Sequence, residues 1–169
     1  MDKKAEVSGQ RGGAREAILD AFRDIVLESG YDGVRVSDVV KRSGVGRSTF
    51  YEHFQDREDL LRDSLRGPFH LLAQLAAPSC DMAQTAFILK HFAQHASLAT
   101  SLVDGAPASI ARTLLAELIR DAAPAAGARV YAAAGAQIGA VAAWLNGDDK
   151  RTAEEVAQSL RAVTLALVR

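Results

Sequence analysis

Between Gly46 and Phe54 the chain gathers Arg47, Ser48, Thr49, Tyr51, Glu52 and His53 around two phenylalanines. Phe50 and Phe54 stand four apart and share one helical face, so the six polar or amphipathic side chains are left on the other side. That outward set offers a guanidinium, two hydroxyls, an imidazole, a carboxylate and a phenol. Such donors and acceptors suit the base edges and phosphates of a duplex groove better than plain water. Glu52 either accepts from a cytosine amino group or points away. No nucleophile–base–acid arrangement and no phosphate-cradling loop occurs, so the sequence points to recognition and not to an enzyme.

A short recognition helix needs a brace. Upstream, Val36, Val39 and Val40 recur at helical spacing over 36–42, with Lys41 and Arg42 on a polar face. Ser43-Gly44-Val45 then forms the turn: Gly44 can take the left-handed conformation and Val45 can plug the angle between two short helices. This is the layout of a helix-turn-helix. Before it, Ile18, Ala21, Phe22, Ile25 and Val26 form one apolar stripe in a helix over 15–29, ended by Gly30 with Tyr31 packing back. After it, Asp56 should cap a helix running to about 76, with Asp59 as a weaker stand-in for a capping-box glutamate. Gly67-Pro68 should kink that helix or split it.

Beyond a break at 77–81 the pattern stays helical. Helices are predicted over 82–103, 109–121, 129–145 and 152–168, the last opened by a Thr152/Glu155 capping box. The breaks are 104–107, 123–128 and 146–149. The fold class is all-α: an amino-terminal three-helix, helix-turn-helix DNA-binding domain followed by a helical ligand-binding and dimerisation bundle. In the helix over 129–145, the small residues Ala132, Gly135, Gly139, Ala142 and Ala143 alternate with Ile138, Val141 and Trp144, which lets another helix approach closely. Val156, Leu160, Val163 and Leu167 in the last helix make a narrow seam of coiled-coil type.

The net charge of −1 gives no support to a nucleic-acid partner. Locally the segment from Gly33 to Gln55 leans basic, with Arg35, Lys41, Arg42 and Arg47 against Asp38 and Glu52. The first residues are charged and lack an apolar signal core, and no stretch is apolar enough for a membrane span, so a cytoplasmic protein is expected. Cys80 is the single cysteine and suits a reducing compartment. His91 and His95 are four apart, but without a third ligand at a telling spacing the pair by itself indicates no metal site, and no cofactor is expected. These histidines are instead read as lining a pocket with Phe69, Phe87, Phe92, Leu98, Leu102 and Leu115, or as facing water.

The stretch from Arg15 to Leu61 resembles the tetracycline-repressor (TetR) family of bacterial one-component regulators. The carriers are Gly30-Tyr31, Ser43-Gly44-Val45, Thr49-Phe50-Tyr51 with His53-Phe54, and Arg57-Glu58 with Leu60. The resemblance implies double-stranded DNA as partner, bound through Arg35, Ser37, Lys41, Arg47, Ser48, Thr49, Tyr51, His53 and Arg57. Arg57 stands where the family usually has a phosphate-contacting lysine. The chain departs from the family pattern at Gly46 and Ser48, and at Arg35, which replaces a capping threonine, so Ser37 should take over the cap and shorten the helix. The resemblance further implies a homodimer through the last two helices, carried here by Gly135, Ile138, Gly139, Ala142, Trp144, Val156, Leu160, Val163 and Leu167.

The expected organisation is a flexible tail over 1–10, a DNA-binding domain over 11–55 and a ligand-binding and dimerisation domain over 56–169, with 56–76 as the connecting helix. The expected function is a repressor that binds a near-palindromic operator and is released by a small, largely apolar ligand. The competing reading is a helical small-molecule sensor whose DNA head is weak or lost, favoured by the neutral charge, Glu52 and the altered turn.

Overall fold

The computed structural model describes residues 3–96, 99 and 105–169. Among these, every regular element is helical: α1 (Lys3–Ser29), α2 (Val36–Ser43), α3 (Arg47–His53), α4 (Arg57–Ala73), α5 (Met82–Gln94), α6 (Gly105–Ala122), α7 (Arg129–Leu145) and α8 (Ala153–Val168). Single 3-10 turns lie at Tyr31–Gly33, Gln74–Ala76 and Pro124–Ala126. The chain divides into two compact units, Met1–Ser64 and Leu65–Arg169.

In the first unit, Ile18, Ala21, Phe22, Ile25 and Val26 of α1 are all buried, so the predicted stripe is the packed face. The tail expected over 1–10 is helical from Lys3. Lys3, Lys4, Ala5, Glu6 and Gln10 are good helix formers. Gly30 ends α1 at a φ of 71°, with its N–H donating to the Val26 carbonyl. Tyr31 then folds back and is buried, and the Ser29 hydroxyl donates to the Ile25 carbonyl.

α4 opens as its sequence dictates. The Asp56 carboxylate accepts from the N–H groups of Glu58 and Asp59, at 2.8 and 2.9 Å, and Asp59 accepts in return from Gln55 N–H at 3.2 Å. The Asp59 carboxylate thus reaches the residue before the cap, and not the Asp56 N–H that a capping-box glutamate would take. The interruption expected at Gly67-Pro68 does not divide the helix, which continues to Ala73. Glycine before the proline has no Cβ to meet the pyrrolidine ring, which relieves the usual pre-proline restriction.

In the second unit α7 packs against both α6 and α8, and α5 lies on α8. Leu114, Leu115, Ile119, Val130 and Ala133 are wholly shielded from solvent. α6 begins at Gly105, earlier than predicted, with Pro107 in its first turn. A first-turn proline costs little because its N–H would have no intrahelical acceptor. α5 ends at Gln94, short of the predicted 103, and most of the interval up to 104 lies outside the described residues. α7 and α8 match their predicted spans to within a residue, and the Thr152/Glu155 capping box is formed at both of its bonds. Buried Gln137 of α7 donates to the Leu72 carbonyl at 3.2 Å and to the Thr164 hydroxyl at 2.7 Å, tying α4, α7 and α8 together.

Candidate nucleic-acid interface

The turn between α2 and α3 is made by Gly44 at φ 69°, ψ 8°, the left-handed conformation that a Cβ would strain. Gly46 then caps α3 in an extended conformation without a side-chain hydrogen bond. α3 is anchored from below by Phe50 and Phe54, both buried, whose ring centroids are 6.1 Å apart. Val39 of α2 is fully buried in the same unit. Burying one such ring contributes about 1.5–3 kcal/mol, which is ample to seat a helix of only two turns.

With Phe50 and Phe54 turned inward, Arg47, Ser48, Tyr51 and Glu52 are exposed, as predicted from the spacing. Tyr51 keeps 52% of its surface in solvent while its ring meets Phe50 edge-on, with centroids 5.2 Å apart. An aromatic held by its neighbour and still uncovered is a rigid contact group. Thr49 and His53 are half-buried, and His53 Nε2 is shielded without a hydrogen-bond partner.

The remaining expected DNA contacts divide by what holds them. Arg35 and Lys41 are exposed. Arg35, not Ser37, is the cap residue of α2, in an extended conformation and without a side-chain bond. The expected takeover by Ser37 does not occur, because the Arg35 carbonyl already accepts from Asp38 and Val39 and starts the helix at Val36. Ser37 therefore lies within the first turn and is exposed. Arg57 is half-buried, with its guanidinium carbon 4.9 Å from the Tyr31 ring centroid.

Arg42 is committed elsewhere. Its guanidinium makes a two-pronged bond to Glu28 of α1, at 2.7 and 2.8 Å, and holds that carboxyl below its usual range. This clasp and the Arg15 guanidinium, which pairs with Asp63 and lies 5.9 Å from the Phe54 ring centroid, brace the reading head. Neither was legible in the sequence, since the partners are far apart along the chain and no local spacing relates them.

The residues expected to line a ligand pocket are not brought together. Phe69 and Leu115 are core residues, Phe92 is half-buried, and Phe87, His91 and His95 are on the surface, Phe87 with 72% exposure. Leu98 and Leu102 lie outside the described residues. α5 turns Thr85, Ala86 and Leu89 inward, which leaves Phe87 and His91 on the other face. A cleft of about 550 Å³ in the second unit is lined instead by His70, Leu71, Gln74, Ser79, Cys80, Asp81 and Gln84.

The expected dimer seam also separates. Val156 and Leu160 are buried in the protomer's own core, in register with buried Thr164 and Val168, whereas Val163 is 47% exposed and Leu167 half-buried. The buried face of α8 is centred on Ala157, Leu160 and Thr164, so Val163 and Leu167 fall at its edge although they share a stripe with Val156 and Leu160. On α7, Ile138 is buried, Gly139 is exposed, and Gly135, Ala142 and Trp144 are half-buried. The Trp144 indole N–H donates to the Arg151 carbonyl at 2.8 Å, closing the loop before α8.

No described helix is long and apolar enough to cross a membrane, and no group of three or more His, Cys, Asp or Glu among the described residues could hold a metal ion.

Residues 18–63 match the family model described as "Bacterial regulatory proteins, tetR family". The HTH-type transcriptional regulator YxbF of Bacillus subtilis is 32% identical over 66 residues, which cover 38% of this chain and 17% of that protein. The dhaKLM operon transcriptional activator DhaS of Lactococcus lactis is 36% identical over 47 residues, 28% of this chain and 25% of DhaS. The similarity to these relatives thus spans a quarter or less of their length. A crystal structure of a TetR transcriptional regulator from Streptococcus agalactiae resembles the chain at 26% identity and a TM-score of 0.63, covering 95% of this chain and 99% of that one. With the helix-turn-helix in place, residues 18–63 form a DNA-binding head of the type found in the tetR family of bacterial regulatory proteins, and the chain as a whole resembles a solved TetR regulator.

Proposed function

We propose that the chain is a homodimeric repressor that binds a near-palindromic operator through α3 and leaves it when a small, largely apolar ligand binds. The observation that carries the DNA contact is the division of α3: Phe50 is fully buried while Arg47, Ser48 and Tyr51 face solvent behind a left-handed Gly44. Arg35, Lys41 and Arg57 supply phosphate contacts, with Ser37, Thr49 and His53 at the edges of the surface. The functional division follows the sequence: residues 11–55 read DNA, and 56–169 dimerise and sense.

The dimer surface is the outward side of α7 with the outer edge of α8: Gly135, Gly139, Ala142, Val163 and Leu167. A Cβ built at Gly135 or Gly139 meets nothing within 4 Å, so the protomer itself has no use for glycine there. A partner helix approaching closely does. Two heads related by a two-fold axis address half-sites one or more DNA turns apart.

Ligand control follows from connectivity, since α4 begins in one unit and ends in the other. A ligand in the second unit that favours one placement of α4 alters DNA affinity by no more than its own preference between the two placements. Phe69 and Leu115 supply the apolar wall, and a ligand that draws Phe87, Phe92, His91 and His95 inward repacks α5.

A gel-shift against genomic fragments at two salt concentrations tests the reading. Salt-sensitive retention of a discrete fragment supports it; absence of any retained fragment leaves the sensor without a DNA head, which the net charge of −1 and exposed Glu52 favour. A reporter driven by the retained fragment distinguishes repression from activation.

A further inference from the structure

We propose that His91 and His95, at the carboxy-terminal end of α5, form a surface site for a divalent transition-metal ion, with Cu(II) the preferred occupant. Both residues are exposed, and their rings already face each other with centroids 5.0 Å apart and planes inclined at 65°. Residues four apart on a helix hold their Cβ atoms about 5–6 Å from one another. Two imidazoles at that spacing can therefore turn a nitrogen each onto one ion at about 2.0–2.1 Å. Exposed rings make that turn without disturbing the core, because α5 is held by Thr85, Ala86 and Leu89 on its other face.

The electrostatic setting favours a cation. α5 ends at Gln94, and His95 is its cap residue, with N–H donating to the Phe92 carbonyl at 3.1 Å. The nearest basic neighbour along the chain, Lys90, is drawn away into an ion pair with Glu154 at 2.5 Å.

The chemistry selects the metal. Among the described residues the site offers two imidazole nitrogens and no third His, Cys, Asp or Glu. Imidazole donors suit copper, nickel and zinc, and the stability order places Cu(II) above Ni(II) and Zn(II) for a given nitrogen and oxygen donor set. The bound ion also bridges the last turn of α5, so binding to the folded chain alone raises its stability.

The test uses the full untagged chain and Cu(II) chloride. Calorimetric titration should show one saturable Cu(II) per chain, with nitrogen couplings from two imidazoles in the electron paramagnetic resonance spectrum. His91→Gln and His95→Gln should each weaken binding by about tenfold or more, as expected when one of two protein ligands is lost. His70→Gln should change nothing. Cu(II) should raise the melting temperature of the wild-type chain and not that of the double variant, whose circular dichroism should otherwise match. Saturable binding that survives in the double variant, or no saturable Cu(II) binding by the wild-type chain, overturns the proposal.

Discussion

The Arg57 guanidinium lies over the ring of Tyr31, 4.9 Å from its centroid, joining the first turn of α4 to the turn that ends α1. The contact orients a cation that the family resemblance assigns to a DNA phosphate, and a half-buried stem keeps that cation in place. Arg57→Ala should weaken binding to all DNA sequences about equally and reduce the salt slope by about one. Gel-shifts across a salt series check this; an unchanged slope removes Arg57 from the interface.

Tyr31 itself has a buried hydroxyl with no hydrogen-bond partner, and burial, ahead of the opposing Arg57 charge, raises the pKa of the phenol. A raised folded-state value means that the stability it confers is present below the ordinary phenol pKa and is lost as the pH climbs through the folded value. Removing an unpaired buried hydroxyl while keeping the ring should be neutral or stabilising by up to ~1 kcal/mol. Tyr31→Phe should therefore melt no lower than the wild type at pH 7 and lose less stability above pH ~10. A drop in melting temperature at neutral pH would reveal a partner for the hydroxyl.

Tyr51→Ala should leave the fold intact, because the half-exposed ring meets the core only edge-on at Phe50, a contact worth about 0.5–1.5 kcal/mol. Operator affinity should fall by ~1–3 kcal/mol, the cost of one good groove contact. Equal affinity of variant and wild type would show that α3 does not present this ring to DNA.

Gly44→Ala tests the turn. At a φ of 69° a Cβ is strained by about 1–2 kcal/mol although the surrounding space is open. Denaturant unfolding should move to lower midpoint by that amount, and DNA affinity should fall with it as α3 loses its seat.

The Glu28–Arg42 clasp should be visible in the acid limb of stability. The Arg42 hydrogen bonds lower the Glu28 pKa, so its contribution is present above the unfolded carboxyl value and is lost as the pH drops through the folded one. Glu28→Gln should lower the melting temperature at pH 7, and the difference from the wild type should vanish once the pH has dropped through the lowered folded-state value. A difference that persists at low pH would assign the effect to packing.

Gly139→Leu should leave the protomer folded, since nothing lies within 4 Å of the added Cβ, and should disrupt the homodimer. Sedimentation equilibrium at micromolar concentration reads the outcome. A dimer that survives the substitution places the interface elsewhere.

The sequence by itself determined what rests on local rules. The α1 stripe from Ile18 to Val26, the Gly44 turn, the Asp56 and Thr152 caps and the outward set on α3 depend on periodicity, φ/ψ freedom and hydrogen bonds within a few residues. Tertiary structure decided whatever depends on which of two apolar rows faces inward. Val163 parted from Val156 and Leu160 because α8 lies on its own unit, and Phe87 parted from Phe69 because α5 turned Thr85, Ala86 and Leu89 to the core. The clasp of Arg42 on Glu28 and the seat of Arg57 on Tyr31 belong to the same class. A charge can reach several partners, and only packing of the helices brings one of them within bonding distance.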